Sequence, residues 1–385
     1  MRVNSIQFLR GVAALLVVYE HSMDVATRYG TSWQQKLYHL DNFGCIGVDL
    51  FFVISGFIIT YVANKYSGFN DGTHFLQKRF NRINPVYYIA TLLCLVVFLI
   101  QVNVYQAPSQ LYTNNVIGSL VDSSIILPTS ANVSSFSPLL IVGWTLSFEW
   151  LFYLIFFLLI ISNVKRKLIF LLISILLLIG VGQILKPDDL RIQFLTNPIL
   201  LEFVLGVIIC HFYLHSSRIP TWLGSTLLLI GVISYLLLIR FGYGNVWFYL
   251  DTITGKQSLN KFFLWGIPSS CIVAGCVFLE KNGKLSRLFN NRLALLLGDA
   301  SYSIYLIHYI ILNGLSLIYF KTKFHWQGDI MIWLQLIIAT VISVWFYKLV
   351  EVRLLNFLNR KKPGTMKVQQ EPTKQPGDAK ELATS

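Results

Sequence analysis

Long apolar stretches separated by short polar segments fill most of this chain. Each stretch approaches the roughly 20 residues that a helix needs to cross the hydrocarbon core of a bilayer. The pattern predicts an all-α, polytopic integral membrane protein with about ten transmembrane helices, because only helices and closed barrels satisfy their backbone groups in lipid. The predicted spans lie near 8–26, 44–64, 84–102, 139–162, 168–185, 198–214, 222–239, 262–280, 297–319 and 330–350.

Two polar segments differ from simple loops. Within 103–138, the apolar piece Val116 to Leu127 is too short to span and predicts a short re-entrant or interfacial helix. From Lys361 onward the chain is rich in Lys, Gln, Glu, Pro and Thr and has no large apolar cluster, which predicts a disordered tail. We therefore expect a transmembrane domain over 1–360 and a cytoplasmic tail over 361–385.

Composition supports a membrane protein. Of the 385 residues, 55% are hydrophobic and 13% are charged, whereas a typical soluble domain is about 25% charged. This excludes a soluble enzyme and a disordered chain. The five cysteines lie mostly in apolar segments without a CxxC motif, so we interpret them as packing residues and predict no disulfide and no metal site.

The net charge of +13 does not indicate a nucleic-acid partner, because the basic residues form short clusters between apolar stretches. With the N-terminus inside, 21 of the 31 Lys and Arg fall in the inner loops and termini, and nine fall in the outer loops. Lys and Arg are retained on the cytoplasmic side of a membrane. The bias and the even number of spans therefore predict that both termini are cytoplasmic.

Ionisable side chains inside predicted spans are functional candidates, since each is costly to place in lipid. Arg10 and His21 are eleven residues apart, so a helix presents both on one face, about 16 Å apart along its axis. Ala14 and Val17 lie between them and are expected to line a narrow slot. The alternative interpretation is a snorkelling arginine and a hydrogen-bonded core histidine.

Two carboxylates and one polar stripe are further candidates. Asp49 lies at the outer start of the second span, where it is either functional or a helix-terminus carboxylate. Glu149 has no basic residue within thirteen positions, so it needs a partner on another helix or must stay protonated. Ser301, Tyr305 and His308 follow i, i+4, i+7 spacing, which is typical of hydrogen bonding between helices.

Arg79 and Arg82 are expected at the cytoplasmic start of the third span. Their i, i+3 spacing places both guanidinium groups on one face. Two forked donors on one face suit phosphate oxygens. A topological anchor or a contact with lipid headgroups remains an equal alternative.

Five motifs, in this order along the chain, resemble the bacterial acyltransferase family 3, whose members are integral membrane acyltransferases. The first two are most similar to the exopolysaccharide and cellulose-associated members. The motifs are Ser5-Ile6-Gln7-Phe8-Leu9-Arg10-Gly11 followed by His21, Gly47-Val48-Asp49-Leu50-Phe51-Phe52, Arg79-Phe80-Asn81-Arg82, Trp144-Thr145-Leu146-Ser147-Phe148-Glu149, and Ser301-Tyr302-Ser303-Ile304-Tyr305-Leu306-Ile307-His308.

The resemblance implies a transacylase of the bacterial inner membrane that takes an acyl group, expected to be acetyl, from cytoplasmic acyl-CoA. It implies no bound cofactor, and an acceptor such as cellulose or a related exopolysaccharide. Polysaccharide synthase or export proteins and membrane lipids are the expected partners. The implied site residues are His21, Glu149 and Asp49 for catalysis, and Arg10, Arg79 and Arg82 for donor binding.

Acyl transfer to a hydroxyl needs a base, and histidine is the usual choice near neutral pH. His21 either acts directly on the acceptor or first becomes acylated, with Glu149 or Asp49 orienting its ring. Two other functions remain open. One is a transporter or polysaccharide flippase that uses the same buried charges, and the other is a non-catalytic subunit of a polymer synthase complex.

Overall fold

The computed structural model describes residues 3–30, 40, 42–104, 116–129, 138–164, 166–242, 244, 246, 248–322 and 328–358. Its regular structure is helical, and no β-strand occurs in this part of the chain. The helices of eight or more residues are α1 (Asn4–Tyr29), α2 (Ile46–Ala63), α3 (Phe69–Leu99), α4 (Val116–Ile125), α5 (Trp144–Ile161), α6 (Lys167–Leu185), α7 (Leu200–His215), α8 (Thr221–Phe241), α9 (Ile267–Lys281), α10 (Arg292–Asp299), α11 (Ser301–Thr322) and α12 (Gly328–Phe346).

Shorter helical pieces extend or connect these helices. Single-turn π segments continue α3 and α12 and precede α9, and short α-helical pieces lie in the connections. The π segments are Ile100–Val104, Phe262–Gly266 and Tyr347–Glu351, and the short helices are Leu190–Leu195, Tyr249–Ile253, Ser258–Lys261, Ser286–Phe289 and Val352–Leu358.

The predicted all-α polytopic membrane fold is confirmed. Within the described ranges, nine helical stretches are long and apolar enough to cross a membrane. Helix α1 has 26 residues, enough for about 39 Å at 1.5 Å per residue. It is not among the nine, and it carries Arg10, Glu20, His21, Asp24 and Arg28. It packs against α2, α10, α11 and α12. Protein contacts therefore surround much of α1, which is the most polar of the long helices.

Two predicted boundaries are wrong in a way that matters for function. The third span was expected from residue 84, but α3 begins at Phe69, so Arg79 and Arg82 lie about three turns inside the helix. Hydropathy misses these turns because their exposed face is polar. The ninth span was expected as one segment from residue 297, but α10 ends at Asp299 and α11 begins at Ser301.

The short helix expected after the third span is confirmed as α4 (Val116–Ile125). It is fastened to its neighbours by hydrogen bonds. The Tyr88 hydroxyl donates to the carbonyl of Ser124 (3.0 Å), and the Leu139 amide donates to Ser123 Oγ (2.9 Å). The predicted tail over 361–385 lies outside the described residues.

Small residues allow a close helix contact between α2 and α7. A Cβ on Gly56 would lie 2.0 Å from the carbonyl oxygen of Phe203, and a Cβ on Gly206 would lie 2.0 Å from that of Val53. Such close backbone approach is the usual way in which helices associate in lipid. In contrast, only 22% of the residues in the apolar stretch of α6, and likewise of α8, are buried, so these two helices lie at the periphery of the bundle.

All five cysteines are free thiols, and three of them, Cys94, Cys210 and Cys276, are buried.

Candidate active site

A small cavity lies between α1, α2, α3, α5 and α11, with a volume of about 90 Å³. Its lining brings together four of the six predicted site residues. These are Arg10, Arg79, Arg82 and Glu149. Three positive charges and one negative charge give the lining a net charge of +2 when all four are ionised. The cavity is therefore suited to an anionic ligand.

Arg79 is the most deeply placed cation of the cavity. Its side chain is 6% exposed, and its guanidinium lies 5.5 Å from the ring centroid of Phe75 and 5.7 Å from that of Tyr153. It forms no ion pair with a carboxylate of the described residues, and its buried Nε has no hydrogen-bond partner there. A buried cation without a counter-ion is costly unless a negative group binds it.

Arg82 and Arg10 complete the basic wall. Arg82 is exposed, one turn along α3 from Arg79, whereas Arg10 is half-buried and donates a hydrogen bond to Gln7 Oε1 (3.3 Å). Glu351, in the π segment that follows α12, acts electrostatically on both arginines and accepts a 2.5 Å hydrogen bond from Ser303 Oγ. No sequence signal had singled out Glu351, since it reaches the site only through the packing of the last helices.

Glu149 finds its partners on α5 and on another helix. The Tyr153 hydroxyl, one turn along α5, donates to Oε1 of Glu149, and Ser55 Oγ on α2 lies 3.4 Å from the same oxygen. Thus the carboxylate without a basic neighbour in sequence is held by hydroxyl groups. The arginines share its cavity without forming an ion pair with it.

Tyr305 on α11 forms part of one wall of the cavity. Its hydroxyl donates to the carbonyl of Val142 (2.9 Å) and lies 2.7 Å from Thr145 Oγ1, while its ring packs edge-on against Phe51 with centroids 5.6 Å apart. On its other side, the Tyr305 ring lies 6.1 Å from the ring of His308. The predicted polar stripe of α11 therefore joins the cavity to the next group of residues.

His21 lies in this neighbouring group and does not line the cavity. Its ring stacks on His308 with centroids 5.3 Å apart, and its Nδ1 lies 3.2 Å from Asp24 Oδ2. His308 is fully buried; its Nδ1 donates to the carbonyl of Ile304 (2.8 Å), which leaves Nε2 as an unpaired acceptor. The His21 side chain is 27% exposed, about two turns before α1 ends.

Two details of the predicted slot differ from the structure. Ala14 and Val17 do not line the cavity but are 0% and 3% exposed in the packed core, so the face between Arg10 and His21 is filled by neighbouring helices. Neither Glu149 nor Asp49 forms a hydrogen bond with His21. Asp24 does, and the sequence carried a local signal for it, because a carboxylate three positions after a histidine shares its helix face.

Asp49 belongs to a separate buried cluster. Its Oδ2 lies 3.6 Å from Lys261 Nζ, and Glu202 on α7 is the second carboxyl group beside it. All three side chains are at most 3% exposed, and the Lys261 ammonium also lies 4.9 Å from the centroid of the Trp265 ring. The cluster joins α2, α7 and the segment that precedes α9.

Comparisons with known proteins point to one family. The model of the acyltransferase domain family Acyl_transf_3 matches residues 3–348. The exopolysaccharide production protein ExoZ of Rhizobium meliloti is 33% identical over 280 residues, which cover 71% of this chain and 78% of ExoZ. The O-acetyltransferase OatA of Staphylococcus aureus is 25% identical over 327 residues, or 78% of this chain and 51% of OatA, so the chain spans about half the length of that relative. No solved structure matches the chain.

Proposed function

The chain belongs to the Acyl_transf_3 family of acyltransferases, and from this membership we propose that it transfers an acyl group from cytoplasmic acyl-CoA to a hydroxyl of an exported polysaccharide. The observation that carries the proposal is the cavity charge. Arg79, Arg82 and Arg10 surround one space, and the buried Arg79 has no ion-pair partner among the described residues. Phosphate groups of a donor are anions that forked guanidinium groups bind well.

We propose that the transferred acyl group is acetyl. The O-acetyltransferase name of OatA agrees with this choice.

The proposed location is the bacterial inner membrane with both termini in the cytoplasm. The distribution of 21 inner and nine outer Lys and Arg supports this orientation. Arg10 lies near the start of α1, whereas His21 lies near its other end and is partly exposed. The arginines would then meet a donor from the cytoplasm, and His21 would meet an acceptor from outside.

The proposed chemistry is direct transfer with His21 as the general base. His21 takes the proton of the acceptor hydroxyl, the oxygen forms a bond to the acyl carbon, and the bond from that carbon to the thioester sulfur breaks. The proton is then returned to the thiolate, so an ester and free coenzyme A leave. Asp24, 3.2 Å from His21 Nδ1, orients the ring as the carboxylate of a triad does.

Glu149 contributes at the donor end, where it fixes Tyr153 and Ser55 beside the arginines. The catalytic role of Asp49 stays a prediction. Its ion pair with Lys261 supports a role in holding α2 in place.

The acceptor is proposed from the relatives. ExoZ is named for exopolysaccharide production, and a secreted glucan such as cellulose or a related exopolysaccharide is the acceptor that we propose here. A polysaccharide synthase or export protein would bring that polymer to the outer face.

The test is an assay of the purified full-length protein with radiolabelled acetyl-CoA and a soluble glucan. We expect ester-linked label on the polymer. Arg79→Gln and Arg82→Gln should each raise the donor KM roughly tenfold, since a hydrogen bond to a charged group is worth about 1.5–3 kcal/mol, and should leave the acceptor KM nearly unchanged.

The matched control is Lys78→Gln, which removes a neighbouring exposed cation that does not line the cavity. Its donor KM should match that of the wild type. Absence of label from every polymer and small carbohydrate tested would favour a flippase or a non-catalytic subunit. If the donor KM is unchanged in both arginine variants, Arg79 and Arg82 do not bind the donor and act instead as an anchor that sets the membrane topology.

A further inference from the structure

A second cleft lies between α2, α5, α6 and α7, where α2 and α7 end and α6 begins. Its volume is about 530 Å³. It shares no lining residue with the active-site cavity, although α2 and α5 contribute to both. Neither the family match nor the proposed reaction gives it a role.

The rim of this cleft is basic. Arg166 and Lys167 contribute from the start of α6, and His211 and His215 from the last turns of α7, with their rings stacked at a centroid distance of 4.3 Å. None of the described residues that line the cleft is acidic. The rim therefore carries a charge of +2 even when both histidines are neutral.

The floor of the cleft is apolar. Phe156, Leu171 and Val207 line it and are at most 4% exposed. An exposed apolar surface of α6 adjoins the cleft: Ile169 lines the cleft and is 45% exposed, and Ile173, one turn further along the weakly buried helix and outside the cleft lining, is 56% exposed. This apolar surface would face the hydrocarbon chains of the bilayer.

One basic group is partly engaged within the protein. Lys167 Nζ donates to the carbonyl of Tyr66, and Asp71, outside the cleft, acts on it electrostatically. Arg166 is exposed and has no ion-pair partner among the described residues. Arg166 is thus the donor with the most free hydrogen-bonding capacity.

We propose that this cleft binds an anionic phospholipid, with the phosphate at Arg166 and Lys167 and an acyl chain along the apolar surface of α6. Basic pockets between transmembrane helices at the cytoplasmic side suit anionic headgroups. A free phosphate would leave the apolar floor exposed, and a zwitterionic lipid would bring a positive group to a positive rim. The inference does not rest on the proposed acyl transfer, because the two linings are separate.

The test is native mass spectrometry of the full-length protein after exchange into phosphatidylglycerol or phosphatidylcholine. The wild type should retain phosphatidylglycerol preferentially. Arg166→Gln/Lys167→Gln should lower that retention roughly thirtyfold, from about 1 kcal/mol per basic residue at a lipid surface. The control Lys284→Gln/Arg287→Gln removes two exposed cations outside the cleft and should retain the lipid as the wild type does.

Lys167 also donates a hydrogen bond to the Tyr66 carbonyl, so the double variant could fail to fold for that reason. The single variant Arg166→Gln keeps this bond and provides a second measurement. Arg166→Gln should lower retention of phosphatidylglycerol roughly fivefold. Two results would overturn the proposal. One is equal retention of phosphatidylglycerol by the wild type and the Arg166 variant. The other is complete displacement of the lipid by millimolar inorganic phosphate or coenzyme A, which would make the cleft a site for a soluble anion.

Discussion

At the scale of single residues, the structure divides the candidate chemistry between two neighbouring groups. Arg79 and Glu149 share the cavity, whereas His21 lies with Asp24 and His308 on the far side of Tyr305. Only the His21 group contains an imidazole with a carboxylate at hydrogen-bond distance. We therefore propose that this group transfers the proton and that the cavity binds the donor.

The residue-scale prediction concerns Asp24. His21→Ala should lower kcat about 100-fold or more, the usual contribution of a general base. Asp24→Asn should lower kcat roughly tenfold with the donor KM unchanged, because Asn keeps the shape but loses the charge that orients the ring. Asp24→Glu should recover part of the loss. Steady-state kinetics with acetyl-CoA measures all three.

Asp188→Asn is the control for Asp24, since Asp188 is an exposed carboxylate far along the chain from His21. Its kinetics should equal those of the wild type. If Asp24→Asn changes KM and kcat equally, or if Asp24→Glu is as impaired as Asp24→Asn, the carboxylate has a structural role and the assignment fails.

At the scale of helices, α2 is the element that positions the site. It provides Ser55 and Phe51 to the cavity, packs closely on α7 through Gly56, and holds Lys261 through Asp49. A buried ion pair costs desolvation, and loss of one partner would leave an uncompensated charge. The position of the cavity therefore depends on contacts along both ends of α2.

The helix-scale prediction is that Gly56→Ala lowers stability. Its new Cβ would lie 2.0 Å from the carbonyl oxygen of Phe203, so α2 and α7 must separate. Overpacking of a core costs about 1–3 kcal/mol. Thermal unfolding in detergent should show a lower Tm and reduced transfer activity.

Gly180→Ala on α6 is the matched control, since a Cβ there meets nothing within 4 Å. Its Tm should equal that of the wild type or exceed it slightly, because alanine favours helix. Equal Tm values for the two variants would mean that the α2–α7 contact does not limit stability.

At the scale of the whole molecule, orientation decides which substrate reaches which group. Arg79 and Arg82 lie toward the start of α3 and His21 toward the end of α1. In the proposed reaction, a cytoplasmic donor reaches the arginines and an exported acceptor reaches His21 only if the basic end of the bundle is cytoplasmic. The charge distribution supports that orientation.

The whole-molecule prediction is asymmetric labelling of two exposed positions. Ser286→Cys should react with a membrane-impermeant maleimide only after the membrane is opened, and Lys256→Cys should react in intact cells. The wild type measures the background from Cys45 and Cys271, which are partly exposed. Labelling of both positions from one side would contradict the predicted topology. The same topology predicts labelling from outside at Ser109 and Ser135 and from the cytoplasm only at Thr373, three positions that lie outside the described residues.

By itself, the sequence determined the class of fold, the approximate positions of most long helices and the family, because hydropathy and sequence motifs are local properties of the chain. Helical spacing also predicted that Arg79 and Arg82 share a face, and both line the cavity. Only the tertiary structure decided which distant groups meet. Ser55 and Glu149 are 94 positions apart, and Asp49 meets Lys261 instead of His21. Such contacts depend on how whole helices pack against each other, and many side chains determine that packing together. The residue spacing within a helix relates only residues of that one helix.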